Sequence, residues 1–154
     1  PEGTIRQVYT LKEGHDLSYK IDVLDNKGFI LDNTMLNWAA DFKKTERLFS
    51  EQRRVSTICF NQTESGLDYL SETATESGTP EEDLEWVAFK QSYFSAILHP
   101  TNPFPKKGTK FFIKNFKEGH PQAWTHLKGY HATMALNFQN NSASFNWFFG
   151  LQKY

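Results

Sequence analysis

The chain has 154 residues, enough for one domain that buries roughly two-thirds of its unfolded surface and too few for two independent ones. Lysine plus arginine number 17 and aspartate plus glutamate 18, so a net charge of -1 leaves no global field for nucleic acid, and no nucleic-acid partner is expected. Rings make up 16% of residues against an apolar total of 38%, a balance that favours broad sheets over helix bundles.

In chain order, residues 4–11 carry β-branched and aromatic side chains and read as a strand that ends at the turn cluster Glu13-Gly14-His15-Asp16. Leu17, Tyr19, Ile21 and Val23 then alternate with Ser18, Lys20 and Asp22, the period of a half-buried strand. Asp25-Asn26-Lys27-Gly28 supplies turn chemistry before Phe29-Ile30-Leu31, which predicts a hairpin across 17–31. Residues 39–54 are rich in helix formers and charges without a full apolar face, and read equally as a helical turn or an exposed loop. The acidic stretch 72–85, with no basic residue and with Ser77, Gly78, Thr79 and Pro80, reads as a solvated, mobile loop.

Two prolines mark 102–108 as a loop, and Lys110 to Lys117 reads as an edge strand guarded by lysines. From Tyr130 the alternation returns, with Tyr130, Ala132, Met134, Leu136 and Phe138 inward. Six or seven such strands with little helix predict an all-β fold, an antiparallel twisted β-sandwich.

Chemistry is sparse. The five histidines, His15, His99, His120, His126 and His131, show no metal-ligand spacing, and the isolated glycines form no phosphate cradle. Cys59 lies among apolar residues as a small buried hydrophobe, and no nucleophile elbow is present. Two Asn-x-Ser/Thr matches, at Asn61 and Asn140, are short enough to arise by chance. No enzyme activity, catalytic residue, cofactor or metal is expected.

Residues 145–154, Phe-Asn-Trp-Phe-Phe-Gly-Leu-Gln-Lys-Tyr, are dense in rings. They suit core packing or, through Trp147, Phe148, Phe149 and Tyr154, an aromatic foot at a bilayer interface, where rings with one apolar and one wet end accumulate. The stretch from Gly129 to Gln152 lacks charges but carries amides, among them Asn137, Gln139, Asn140, Asn141 and Asn146, too polar to span a bilayer.

The segment Trp86-Val87-Ala88-Phe89-Lys90-Gln91-Ser92-Tyr93-Phe94 follows the acidic stretch directly. Its Trp86, Val87, Ala88, Gln91, Tyr93 and Phe94 resemble a signature of the periplasmic domain of YidC-type membrane protein insertases, and strands 4–23 and 130–138 resemble that domain in pattern. The resemblance covers most of this chain but about the second half of the family's domain, and it implies a galactose-mutarotase-like β-supersandwich. It also implies a periplasmic, membrane-proximal position on a bacterial inner-membrane protein. The insertion chemistry would lie elsewhere, and the partners would be Sec translocon components or nascent membrane proteins. The Glu-rich stretch 72–85 and Pro103-Phe104-Pro105 have no counterpart in the family pattern. The chain starts at Pro1 with nothing like a signal peptide, as expected of an excised piece of a longer protein. A second reading is a carbohydrate-binding or sugar-epimerising sandwich whose exposed rings stack on sugars. On either reading Trp86, Phe89, Tyr93 and Phe94 are expected to stabilise the sheet.

Overall fold

The structure, a computed structural model, describes residues 3–28 and 31–151. The first two strands are β1 (Thr4–Leu11) and β2 (Asp16–Asp25), paired antiparallel from Leu11↔Leu17 to Thr4↔Asp25. Gly14 turns the chain between them with φ +92°, a conformation that any other L-residue adopts at a cost. Both hydrogen-bonding edges of β2 are occupied, one by β1 and the other by the last strand. That corrects the hairpin expected across 17–31. Gly28 does take a positive φ of 93° and Leu31–Asn33 form a 3₁₀ turn, while Phe29 and Ile30 lie outside the described residues.

Residues 39–43, read as helix or loop, belong instead to β3 (Met35–Lys43). Leu36, Trp38, Ala40 and Phe42 alternate with exposed Asn37, Ala39, Asp41 and Lys43, so the strand period is present although charges and alanines mask it. The helical part starts later, as the two-turn α1 (Phe49–Val55). There follow β4 (Thr57–Gln62), β5 (Gly66–Tyr69), β6 (Glu76–Gly78), β7 (Leu84–Lys90), β8 (Phe94–Pro100), β9 (Lys110–Asn115), β10 (His126–Ala135) and β11 (Ser142–Leu151). A second 3₁₀ turn, Pro121–Trp124, joins β9 to β10.

Among the described residues two antiparallel sheets form, one ordered β1-β2-β11-β8-β7-β4-β5 and one ordered β3-β10-β9-β6. They enclose one apolar layer, in which Ile58, Leu84, Val87, Leu98, Phe104, Ile113, Tyr130 and Met134 are fully buried. The all-β sandwich expected from the strand count is the fold observed. Ring pairs hold its centre: Trp38 stacks on Phe89 at 3.6 Å, and Phe60 on Phe111 at 4.7 Å.

Three further expectations change. β9 is an inner strand, flanked by β10 and β6, and Lys110 and Lys114 stand on its outer face rather than guarding an edge. The acidic stretch 72–85 contains β6 and the start of β7. Phe104, between its two prolines, is fully buried and exchanges two backbone bonds of 2.9 Å with Leu84, so the proline loop contributes to the core.

Register places the ends of the sandwich. The turns β1–β2 and β7–β8, the last residues of β11, the beginning of β4 with α1, and the β9–β10 connection share one end. The turns β4–β5 and β10–β11 and the loop 101–109 lie at the other.

Candidate interaction face at one end of the sandwich

The Trp86–Phe94 motif is divided by the β7–β8 turn. Val87, Ala88 and Phe89 are buried, with Phe89 under Trp38 and edge-on to Tyr130 at 5.3 Å. Trp86 is half-buried and points to the other side of the sheet from Val87 and Phe89, across from Asn61. The Gln91 N–H donates to Phe94 O at 2.8 Å, closing the turn, and this leaves Tyr93 and Phe94 at its tip, 61% and 55% exposed. Of the four side chains expected to hold the sheet, Phe89 does so fully, Trp86 in part, and Tyr93 and Phe94 project into solvent.

The ring-dense C-terminal segment is likewise divided. β11 is paired on both edges, by β2 and by β8, so it is an internal strand of the larger sheet. Trp147 meets Trp38 edge-on at 4.5 Å and stacks on Phe149 at 5.6 Å, and Phe148 turns the other way toward His15 at 6.2 Å. Phe149 and Leu151 are substantially exposed, and Tyr154 lies outside the described residues.

That exposure has a geometric origin. The larger sheet carries its inward-facing positions on β8 and β11 beyond the cover of the smaller one, where β3 is the edge strand. The result is an apolar cleft of about 520 Å³ between Trp38, Phe42 and Phe89 on one side and Phe94, Phe149 and Leu151 on the other, with His15 and Gln91 among its polar positions.

Beside it α1 packs on the beginning of β10. Gln52 is buried; its Nε2 donates to Lys43 O and Thr45 Oγ1, and its Oε1 accepts from the Thr45 and Glu46 N–H groups. Lys128 is fully buried and donates to three backbone carbonyls, those of Arg53 at 2.7 Å, Glu72 at 2.5 Å and Ser56. Three carbonyls use all three ammonium protons, and two of them, Arg53 in the last turn of α1 and Ser56 at its C-cap, lie where the peptide dipoles favour a cation. Burial nevertheless pushes the Lys128 ammonium down, to about 8. Burial also raises the Tyr130 hydroxyl well above its ordinary range and the Cys59 thiol to about 11.

A second cavity, also of about 520 Å³, opens between α1 and the 3₁₀ turn, lined by Lys44, Phe49, Arg53, Phe116, His120 and Trp124. Arg53 Nη2 donates to Phe116 O at 3.3 Å while its Nε has no partner, and the Lys44 ammonium lies 4.9 Å over the Phe49 ring. Trp124 is 89% exposed. Sequence reasoning did not single out Trp124, Arg53 or Lys128; a tryptophan set in a proline-led turn was the one available signal.

Among the described residues no group of three or more His, Cys, Asp or Glu could hold a metal ion, and no helix is long and apolar enough to cross a membrane. No family model matches the chain. Against curated proteins, it aligns with the membrane protein insertase YidC of Bacteroides fragilis at 24% identity over 135 residues, 85% of this chain. The chain matches YidC-type membrane protein insertases. YidC of Porphyromonas gingivalis aligns at 28% identity over 77% of the chain, and YidC of Phocaeicola vulgatus at 29% over 49%. The chain spans about a fifth of the length of the first two, 21% and 19%, and 12% of the third. An alignment of 135 residues takes in most of both sheets, so the YidC likeness extends well beyond the Trp86 motif.

Proposed function

We propose that the chain is a non-catalytic periplasmic domain of an inner-membrane insertase that assists insertion and folding of membrane proteins, acting as an interaction module for Sec translocon components or exported chains. The likeness to YidC over 85% of the chain is the observation that carries this reading. The apolar cleft supports it. An unfolded exported chain presents apolar side chains, and burying one such side chain is worth about 1.5 to 3 kcal/mol, less where the site is already half covered. Phe94, Phe149 and Leu151 provide that burial at an open end, beside β3, an edge strand among the described residues. An extended segment could add to this edge by main-chain hydrogen bonds while alternate side chains enter the cleft.

A sugar-binding site needs paired donors and acceptors under a stacking ring. The cleft offers rings and aliphatic groups with few polar ones, so the carbohydrate reading has less support. The test is a photoreactive residue at Tyr93 in the parent protein in its own membranes, with Leu67 on β5 as control. Covalent capture of a translocon component or a nascent membrane protein at Tyr93 and not at Leu67 is expected. Equal capture at both, or at neither, would count against the reading.

A further inference from the structure

We propose that the end of the sandwich carrying Trp124 docks on an anionic phospholipid bilayer, Trp124 entering the interface and Lys44 and Arg53 holding lipid phosphates. The inference rests on the insertase reading only for the presence of a membrane nearby.

Placement comes first. Tyr93 and Phe94 at the β7–β8 turn, Trp124 in the 3₁₀ turn, and Phe149 and Leu151 at the end of β11 are each between 47% and 89% exposed. They come from three segments that the register brings to one end. Folding alone does not call for tryptophan at a position 89% exposed, whereas an interface that is apolar on one side and wet on the other does.

Charge is the second observation. Lys44 and Arg53 line the cavity beside Trp124, with the Arg53 Nε unpartnered, and Lys90 and Lys117 lie at the same end. Carboxylates at this end include Glu13, Asp16, Glu46, Glu51, Glu72 and Glu118; Glu51 is held by Arg54 at 2.9 Å, Glu72 lies near Lys128 and Arg54, and Glu118 lies on the cavity wall. A guanidinium and an ammonium on one apolar-floored cavity suit a phosphate that carries an apolar body. The opposite end presents Glu64, Glu81, Glu82 and Asp83 around Lys106 and Lys107, an acidic excess that an anionic surface disfavours, so charge and rings select the same orientation.

The test is co-sedimentation of the 154-residue chain with phosphatidylcholine vesicles and with vesicles in which phosphatidylglycerol replaces a third of the lipid. Brominated acyl chains serve as quenchers of tryptophan fluorescence. The chain is expected to sediment with the anionic vesicles, to be quenched there, and to be released by salt. Lys44→Gln and Arg53→Gln should each weaken binding about five-fold. Trp124→Ala should remove the quenching and most of the binding while leaving the melting temperature unchanged. Absence of sedimentation with anionic vesicles overturns the proposal, as does binding that ignores lipid charge and all three variants. Glycerol phosphate bound by the chain without vesicle binding points to a soluble phosphate ligand and also overturns it. A parent gene without membrane helices would sink the insertase reading while leaving the vesicle result standing.

Discussion

The two ends of this sandwich solve the same problem, closing a pair of sheets, with opposite chemistry. At the acidic end Asp22, Glu82 and Asp83 each have donors. Asp22 accepts from Arg6 on β1, Lys20 on β2 and Ser142 on β11, each at 2.9 Å. Glu82 accepts the Glu64 and Ser65 N–H groups, and Asp83 accepts that of Lys106. Gln62 Oε1 takes the N–H groups of Glu81 and Glu82. At the aromatic end Gln52 and Lys128 satisfy polar groups inside, and the outside carries exposed rings and aliphatic groups among its charges. One end is finished by hydrogen bonds among its own residues, the other leaves apolar surface uncovered, and that asymmetry marks where a partner belongs.

The largest break should come under the aromatic end. Phe89→Ala removes the ring on which Trp38 stacks and should cost about 3 to 5 kcal/mol, a fall of roughly 6 to 20 °C in thermal melting. Lys128→Met leaves the Arg53, Ser56 and Glu72 carbonyls without their donor. It should cost about 3 kcal/mol, or roughly 6 to 12 °C, and hydrogen exchange should loosen first in α1. A melt unchanged by that substitution would mean the three carbonyls find water instead.

At the acidic end the expected effect depends on pH. The Lys20, Arg6 and Ser142 side chains hold the Asp22 carboxyl at about 2, below its ordinary 3.8. Between those values the unfolded chain binds more protons than the folded one, so the stabilisation is present above 3.8 and is lost as pH falls toward 2. Melting temperatures across that window should fall in the native chain, and Asp22→Asn should flatten part of the slope. Parallel slopes would show that Asp22 is not the group responsible. The smallest effect should be Tyr93→Ser. The ring is 61% exposed, so calorimetry should find a change within about 0.5 kcal/mol, while capture of a partner at this end falls. A drop of several degrees would place the ring in a packed setting and weaken the contrast between the ends.

What was legible in the sequence followed from period. β2 and β10 are legible because one face of each alternates, and Tyr130, Ala132 and Met134 are the buried side chains that the alternation names; β1, exposed along its whole length, is legible only from its β-branched and aromatic residues and the turn after it. β3 was missed although it alternates too, because it is an edge strand whose charges and alanines dilute the signal. β9 was taken for an edge because three-residue β6, which covers part of it, is too short to announce itself. Of the site, the sequence located Tyr93, Phe94, Phe149 and the segment holding Leu151, but not their exposure, which depends on how far the smaller sheet extends. Lys128 was illegible in principle: its partners lie 56, 72 and 75 positions away and are backbone carbonyls, which carry no residue signature.

The most direct measurement is the complete reading frame of the parent gene. The account predicts runs of about 20 apolar residues encoded within roughly 60 residues beyond Tyr154, with lysine or arginine on the cytoplasmic side. A stop codon at that point, or another domain without such runs, would contradict it.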